Sequence, residues 1–253
     1  MARSIYIASP NAGTGKSTVA LGLVSCLTKV VAKVGVFRPF VESREGDAFL
    51  SLLLNRAGST TPPEQCVGAT WDEFHADPEE ALARIVDAYR AMAREHDVVI
   101  IDGSDFTDVA GNPELALNAR VAANIGVPVL LVVSGQNDVE DVVASVEVSM
   151  AEIADNNART VAVVANKCLP ETRQAVGEAL TAIEGITSTT LPEVPLLAAP
   201  VVREVLDAVE GTLIASDETL LDREAESVLV CAMDVSHVLE RLTAGQLAIV
   251  PAD

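Results

Sequence analysis

Positive charge is what this chain has least of: 17 Lys and Arg stand against 37 Asp and Glu, a formal net charge of −20 at pH 7. A surface of that sign repels nucleic acid and anionic membranes, so neither is expected as a partner. Cysteine is also sparse. Cys26, Cys66, Cys168 and Cys231 are scattered without C-x-x-C spacing, which argues against a zinc site or a disulfide framework and suits buried thiols in a reducing cytoplasm. His75, His96 and His237 have no metal-type spacing and no Ser or Cys nucleophile motif beside them. No segment reaches the roughly 18–20 continuous apolar residues of a membrane span, and the N-terminus lacks the apolar stretch of a secretion signal. A soluble cytoplasmic protein is therefore expected. Aromatic residues make up only 3%, yet hydrophobic residues reach 49% of 253, enough for one large α/β domain with a smaller appendage.

What the chain does have is a phosphate-binding loop. Ser9-Pro10-Asn11-Ala12-Gly13-Thr14-Gly15-Lys16-Ser17-Thr18 follows the apolar Ile5-Tyr6-Ile7 and precedes the helix-like Val19-Ala20-Leu21. A strand turning through glycines into a helix N-terminus aims backbone N–H groups and a helix dipole at one point, where a polyphosphate would sit. The residues expected to hold ATP or another nucleotide there are Gly13, Thr14, Gly15, Lys16, Ser17 and Thr18. Lys16 would reach the β/γ-phosphates and Ser17 would take Mg²⁺. The pattern G-x-x-x-x-G-K-[ST] is incomplete, because Pro10 stands where its first glycine belongs.

Apolar runs alternate with helical periodicity along most of the chain, which predicts an α/β fold: a mainly parallel sheet with helices on both faces, of the P-loop NTPase type. Strands are expected near 4–8, 34–38, 97–102, 127–133 and 160–165, and helices near 15–31, 77–95, 112–125, 137–154 and 170–183. Gly58 to Pro63 is a loop, and Leu191 to Pro200 reads as a proline-bounded last strand before a short helix from Val202 to Val209. The first domain, 1–220, is expected to be nucleotide-binding-like; residues 221–253 continue as strand, helix and strand. Roughly 30 residues cannot bury a core alone, so this second domain is expected to be cut from something longer or to dock on a neighbour.

Other candidates lie at strand ends. Asp102 closes the apolar run Asp97 to Ile101 and would help hold Mg²⁺. Arg38 and Arg44 could clamp phosphate or carboxylate and Asp47 could bind metal, although such residues are more often surface ion pairs or helix caps. Asn166, followed by Lys167, ends another strand; its amide could bind a base or simply shape a turn. Asp138, Glu140 and Asp141 suit a helix N-terminus.

Together, the loop, Phe37-Arg38-Pro39-Phe40, Gly46-Asp47, Val99 to Gly103, the Pro113 to Ala123 helix, Val163 to Leu169 and Val194 to Leu197 resemble the dethiobiotin-synthetase-like P-loop domain. The closer resemblance is to the version at the N-terminus of long-form bacterial phosphate acetyltransferases, because Ser227 to Ala232 and Ala244 to Asp253 resemble the opening of the small DRTGG domain that follows there. The resemblance implies a regulatory or architectural domain that responds to a nucleotide or metabolite effector and helps a homo-oligomer assemble. Acetyl transfer between acetyl-CoA and phosphate would belong to a catalytic domain that nothing here matches. Two alternatives remain: an ATP-dependent carboxylate–amine ligase of the dethiobiotin synthetase or cobyrinate diamide synthase type, and a partner-binding module with a vestigial loop. Against the ligase, Arg38 stands where dethiobiotin synthetases carry lysine, and an always-charged guanidinium is a poor proton shuttle. Asp102 stands where they carry glutamate, and uncharged Asn11 lies near the place of the signature lysine found in some relatives.

Overall fold

The computed structural model describes residues 2–104, 114–214 and 217–251. They divide into two compact units, Met1–Glu193 and Val194–Asp253, a boundary earlier than the expected one near 220. In the first unit the order is β1 (Arg3–Ala8), α1 (Lys16–Leu27), β2 (Val34–Val41), α2 (Ala48–Ala57), β3 (Val67–Thr70), α3 (Trp71–Ala76), α4 (Pro78–Glu95), β4 (Val98–Asp102), α5 (Glu114–Ile125), β5 (Val129–Ser134), α6 (Val139–Asp155), β6 (Thr160–Cys168), α7 (Arg173–Thr181) and β7 (Thr187–Pro192). The start of the expected 112–125 helix lies outside the described residues.

The seven strands form one sheet in the order β3-β2-β4-β1-β5-β6-β7, and every pair is parallel. Parallel strands need crossovers, and a right-handed crossover places its helix on a face set by the direction of travel. Moving outward to β2 and β3 puts α1 and α2 together on one face. Returning through β4, β5, β6 and β7 puts α4, α5, α6 and α7 in a contiguous row on the other. Strands covered on both faces must be apolar on both. β4 and β5 accordingly read Val-Val-Ile-Ile and Val-Leu-Leu-Val-Val, with Val99 to Ile101 and Val129 to Val133 8% exposed or less.

Several elements escaped the hydrophobic pattern. α2 starts at Asp47, whose side chain accepts from the Leu50 N–H at 2.8 Å, and closes at Gly58 with φ +63°. β3 is four residues long and pressed against α4: a Cβ on Gly68 would lie 2.5 Å from the Ile85 side chain. β7 is a polar, half-exposed edge strand, Thr-Ser-Thr-Thr, without an apolar face to announce it. The strand expected over 191–200 is a correction: β7 ends at Pro192, and Pro195–Ala198 is a 3-10 turn. Pro195 and Pro200 have no N–H to offer a ladder.

The second unit holds α8 (Val202–Ala208), β8 (Ser227–Val230), α9 (Val235–Arg241) and β9 (Gln246–Ile249), with β8 and β9 parallel. Val228, Val230, Val235, Leu239 and Val250 are each more than half exposed. No helix among the described residues is long and apolar enough to cross a membrane.

The thiols are buried except for one: Cys26 is exposed, a correction to the expectation for all four. Burial pushes the Cys66 thiol from 9.0 up to about 11, with Glu64 adding to the rise, and burial also raises that of Cys168. An acid whose folded pKa is raised stabilises the fold below its unfolded pKa, so the Cys66 contribution is lost as pH climbs from 9 through 11. Iodoacetamide at pH 8 should therefore label Cys26 rapidly and leave Cys66 and Cys168 unmodified. Rapid labelling of Cys66 would contradict its burial.

Candidate functional site

The carboxyl ends of β1, β4, β5 and β6 meet where the strand order reverses around β1, the place where open α/β sheets bind ligands. β1 delivers the chain into Ser9 to Gly15, and Gly13 (φ +77°) and Gly15 (φ +79°) take the left-handed backbone that lets the loop curl back into α1. Gly15 serves as the N-cap of α1 without any side-chain cap. Among the described residues, the N–H groups of Gly13, Thr14, Gly15, Ser17 and Thr18 donate to no protein acceptor, and neither does the Ser17 hydroxyl. That is a concentration of open donors at a helix N-terminus.

Lys16 is 2% exposed. Its ammonium donates to Asp102 Oδ1 at 2.8 Å and to the Gly103 carbonyl. Asp102, fully buried, also sits 3.3 Å from Arg38 Nε as an ion pair without hydrogen-bond geometry, so Oδ2 has no hydrogen bond. The other end of the Arg38 guanidinium bonds Asp47 Oδ2, and its Cζ lies over the Phe49 ring, 5.8 Å from the centroid. Lys16, Asp102, Arg38 and Asp47 thus form one chain of alternating charge that sums to zero.

The structure therefore brings Lys16, Arg38, Asp47 and Asp102 together, with Ser17 beside Lys16 at the start of α1, and assigns Asp47 work within the protein: one oxygen caps α2 and the other holds Arg38. Arg44 is drawn elsewhere, to Glu73 at 2.8 Å. Glu73 also receives Arg84 at 3.1 Å and the Thr70 N–H at 2.8 Å. The Thr70 N–H, then Arg44 and Arg84, hold the Glu73 carboxyl below its usual range. Asn166 donates its amide to the Thr14 carbonyl at 2.8 Å, so it touches the loop itself. Lys167 donates to the Gly13 carbonyl at 2.8 Å.

Two supporting residues were not singled out by sequence reasoning. Asn118 of α5, fully buried, accepts from Tyr6 Oη at 2.6 Å and from the Ser104 N–H at 3.1 Å. It also donates to the Glu114 carbonyl at 3.1 Å. A lone amide between Leu115, Val121 and Ala122 on the buried face of a helix was the available signal. Burial, with the Asp102 and Glu114 charges, pushes the Tyr6 hydroxyl well above its usual range, so it remains a donor. These bonds fix Gly103 and Ser104, and through them the carbonyl that receives Lys16.

A magnesium ion needs few protein ligands when a polyphosphate supplies the rest. The open Ser17 hydroxyl and the unsatisfied Asp102 Oδ2 fit that requirement. No group of three or more His, Cys, Asp or Glu among the described residues is placed to hold a metal alone.

Similarity to known proteins agrees with this geometry. The chain is 25% identical to a phosphate acetyltransferase of Nitratidesulfovibrio vulgaris and 24% identical to one of Synechocystis, each over 100% of its own length. It spans 38% of the length of either relative. The fold is that of P-loop NTPases. The MinD cell division protein of Aquifex aeolicus matches 78% of this chain over 84% of its own, at TM-score 0.52 and 17% identity. Chloroplast FtsY of Physcomitrella patens matches 77% over 59%, at TM-score 0.52 and 18% identity. Residues 3–230 match the family described as AAA domain, and with that coverage the chain belongs to the family.

Proposed function

We propose that the first unit binds a magnesium–nucleoside polyphosphate at the Gly13–Thr18 loop, and that the chain serves as the N-terminal nucleotide- or metabolite-responsive domain of a phosphate acetyltransferase. The observation that carries the binding is the set of open N–H donors above Lys16 and Ser17. Loop N–H groups would hold the phosphate oxygens, Lys16 would exchange its bond to Gly103 for a phosphate oxygen, and Ser17 with Asp102 would take the metal. The metal would supply neutralisation of phosphate charge, which matters where Lys16 and Arg38 are already paired with Asp102 and Asp47.

On this reading, conversion of acetyl-CoA and phosphate to CoA and acetyl phosphate would belong to the remainder of the full-length protein, since this chain spans 38% of such a relative. Residues 221–253 are read as the start of their DRTGG domain, in keeping with the exposed apolar residues of β8 and α9. Held between two carboxylates, Arg38 offers no proton-accepting group beside the phosphates, which counts against a ligase.

Calorimetry and thermal shift with ATP and ADP, with and without Mg²⁺, test the reading. At about 100 times Kd a ligand stabilises the fold by roughly 2.7 kcal/mol. Ser17→Ala is expected to keep the melting temperature, since the hydroxyl has no protein partner among the described residues, and to lose the magnesium-dependent part of the shift. No magnesium-dependent nucleotide shift in the wild type would refute the proposal.

A further inference from the structure

Two consecutive residues at the end of β6 reach the same loop, which a regular strand forbids because neighbouring side chains point to opposite faces. A bulge makes it possible. β6 pairs Ala165 with Thr190 and then Cys168 with Pro192, three steps on β6 for two on β7, so one residue is extra. The extra turn of the backbone falls at Lys167, a non-glycine residue with φ +60°. Bulges of this kind re-aim side chains beside functional sites. On the other edge of β6, the Gly135 N–H donates to the Asn166 carbonyl at 2.6 Å, which fixes the strand end.

From that bulge Asn166 donates to the Thr14 carbonyl and Lys167 to the Gly13 carbonyl, both at 2.8 Å. The fit is close: a Cβ on Gly15 would collide with the Asn166 amide. In a trans peptide the carbonyl and the following N–H point opposite ways. Holding the Gly13 and Thr14 carbonyls toward β6 therefore turns the N–H groups of Thr14 and Gly15 away from it, and these are two of the donors without a protein acceptor.

We infer that Asn166 and Lys167 form a latch that orients the loop N–H groups for a polyphosphate, making them positioning residues for the phosphates and not readers of the base. The inference rests on the phosphate site proposed above. It accounts for a strained backbone at a lysine, since strain persists where surrounding contacts over-determine it.

The test uses the full chain with Asn166→Ala and Lys167→Gly. Glycine adopts φ +60° without strain, so Lys167→Gly is expected to fold with an unchanged or higher melting temperature. Each variant should weaken magnesium–tripolyphosphate and magnesium–ATP alike, by about tenfold, the size of a hydrogen-bonding effect in a charged site. In the ligand-free chain, amide relaxation should show Thr14 and Gly15 ordered in the wild type and loosened in both variants. Unchanged amide order would overturn the latch, as would an Asn166→Ala chain that loses ATP but keeps tripolyphosphate, which would make Asn166 a base reader. A wild type that binds neither ligand overturns the phosphate site itself, and the ligand-free relaxation tells that failure from a failure of the latch.

Discussion

Asp102→Ala is expected to destabilise the chain by about 3–5 kcal/mol, the effect of removing one partner from a buried ion pair. Asp102 is fully buried and Lys16 is 2% exposed, so the ammonium left behind keeps the Gly103 carbonyl but loses the Asp102 carboxylate. Arg38 loses its inner carboxylate as well and is left with Asp47. Part of the loss comes from buried cations that Asp102 no longer balances and part from missing attraction, and a second substitution separates the two. Lys16→Met combined with Asp102→Leu removes both charges and should recover a large part of the stability, while binding no polyphosphate. Urea unfolding of Lys16→Met, Asp102→Leu and the double provides the coupling. A cost below about 1 kcal/mol for Asp102→Ala would mean that water reaches the pair and that the site is not built as described.

Gly103→Ala is the second large effect, expected at about 2–3 kcal/mol from overpacking. A Cβ there would lie 2.6 Å from Asn118 Oδ1, 2.7 Å from the Ile7 carbonyl and 2.8 Å from the Tyr6 ring. The Ile7 carbonyl belongs to the central strand and already accepts the Gly103 N–H at 2.9 Å, so it cannot yield. Moving Gly103 also moves the carbonyl that holds Lys16, and polyphosphate affinity should fall with stability. Gly22→Ala provides the control. Gly22 is an exposed position inside α1 with nothing within 4 Å of the added carbon, and the change should stabilise by about 0.5–1 kcal/mol. Thermal unfolding of the two variants should therefore shift in opposite directions. Equal shifts would contradict the packing around Gly103.

Asp47 shows why some of the site could be read in the sequence and some could not. An acid before an apolar run fits a metal ligand or a helix cap, and the residue type alone does not choose between them. Here it caps α2 and holds Arg38. The start of α2, which it marks, went unread although a helix cap was one of its two readings. Arg44 had the same ambiguity, and its partner, Glu73, lies 29 residues away. The loop was different: strand, glycines, Lys-Ser-Thr and helix are local, and their order carries the meaning.

By itself the sequence determined the parallel α/β architecture, the phosphate loop and the acid at the end of β4. Each rests on local pattern: apolar runs of strand length, helical periodicity, glycines where φ is positive. Only the tertiary structure decided which cation meets which acid, that Asn166 and Lys167 hold the loop, that Asn118 and Tyr6 fix Gly103, and that a polar run such as Thr187–Pro192 is a strand. Those outcomes depend on contacts between residues such as Tyr6 and Asn118, 112 positions apart, or Lys167 and Gly13, 154 apart. Side-chain chemistry gives each group a range of acceptable partners, and the strand order of the sheet selects one.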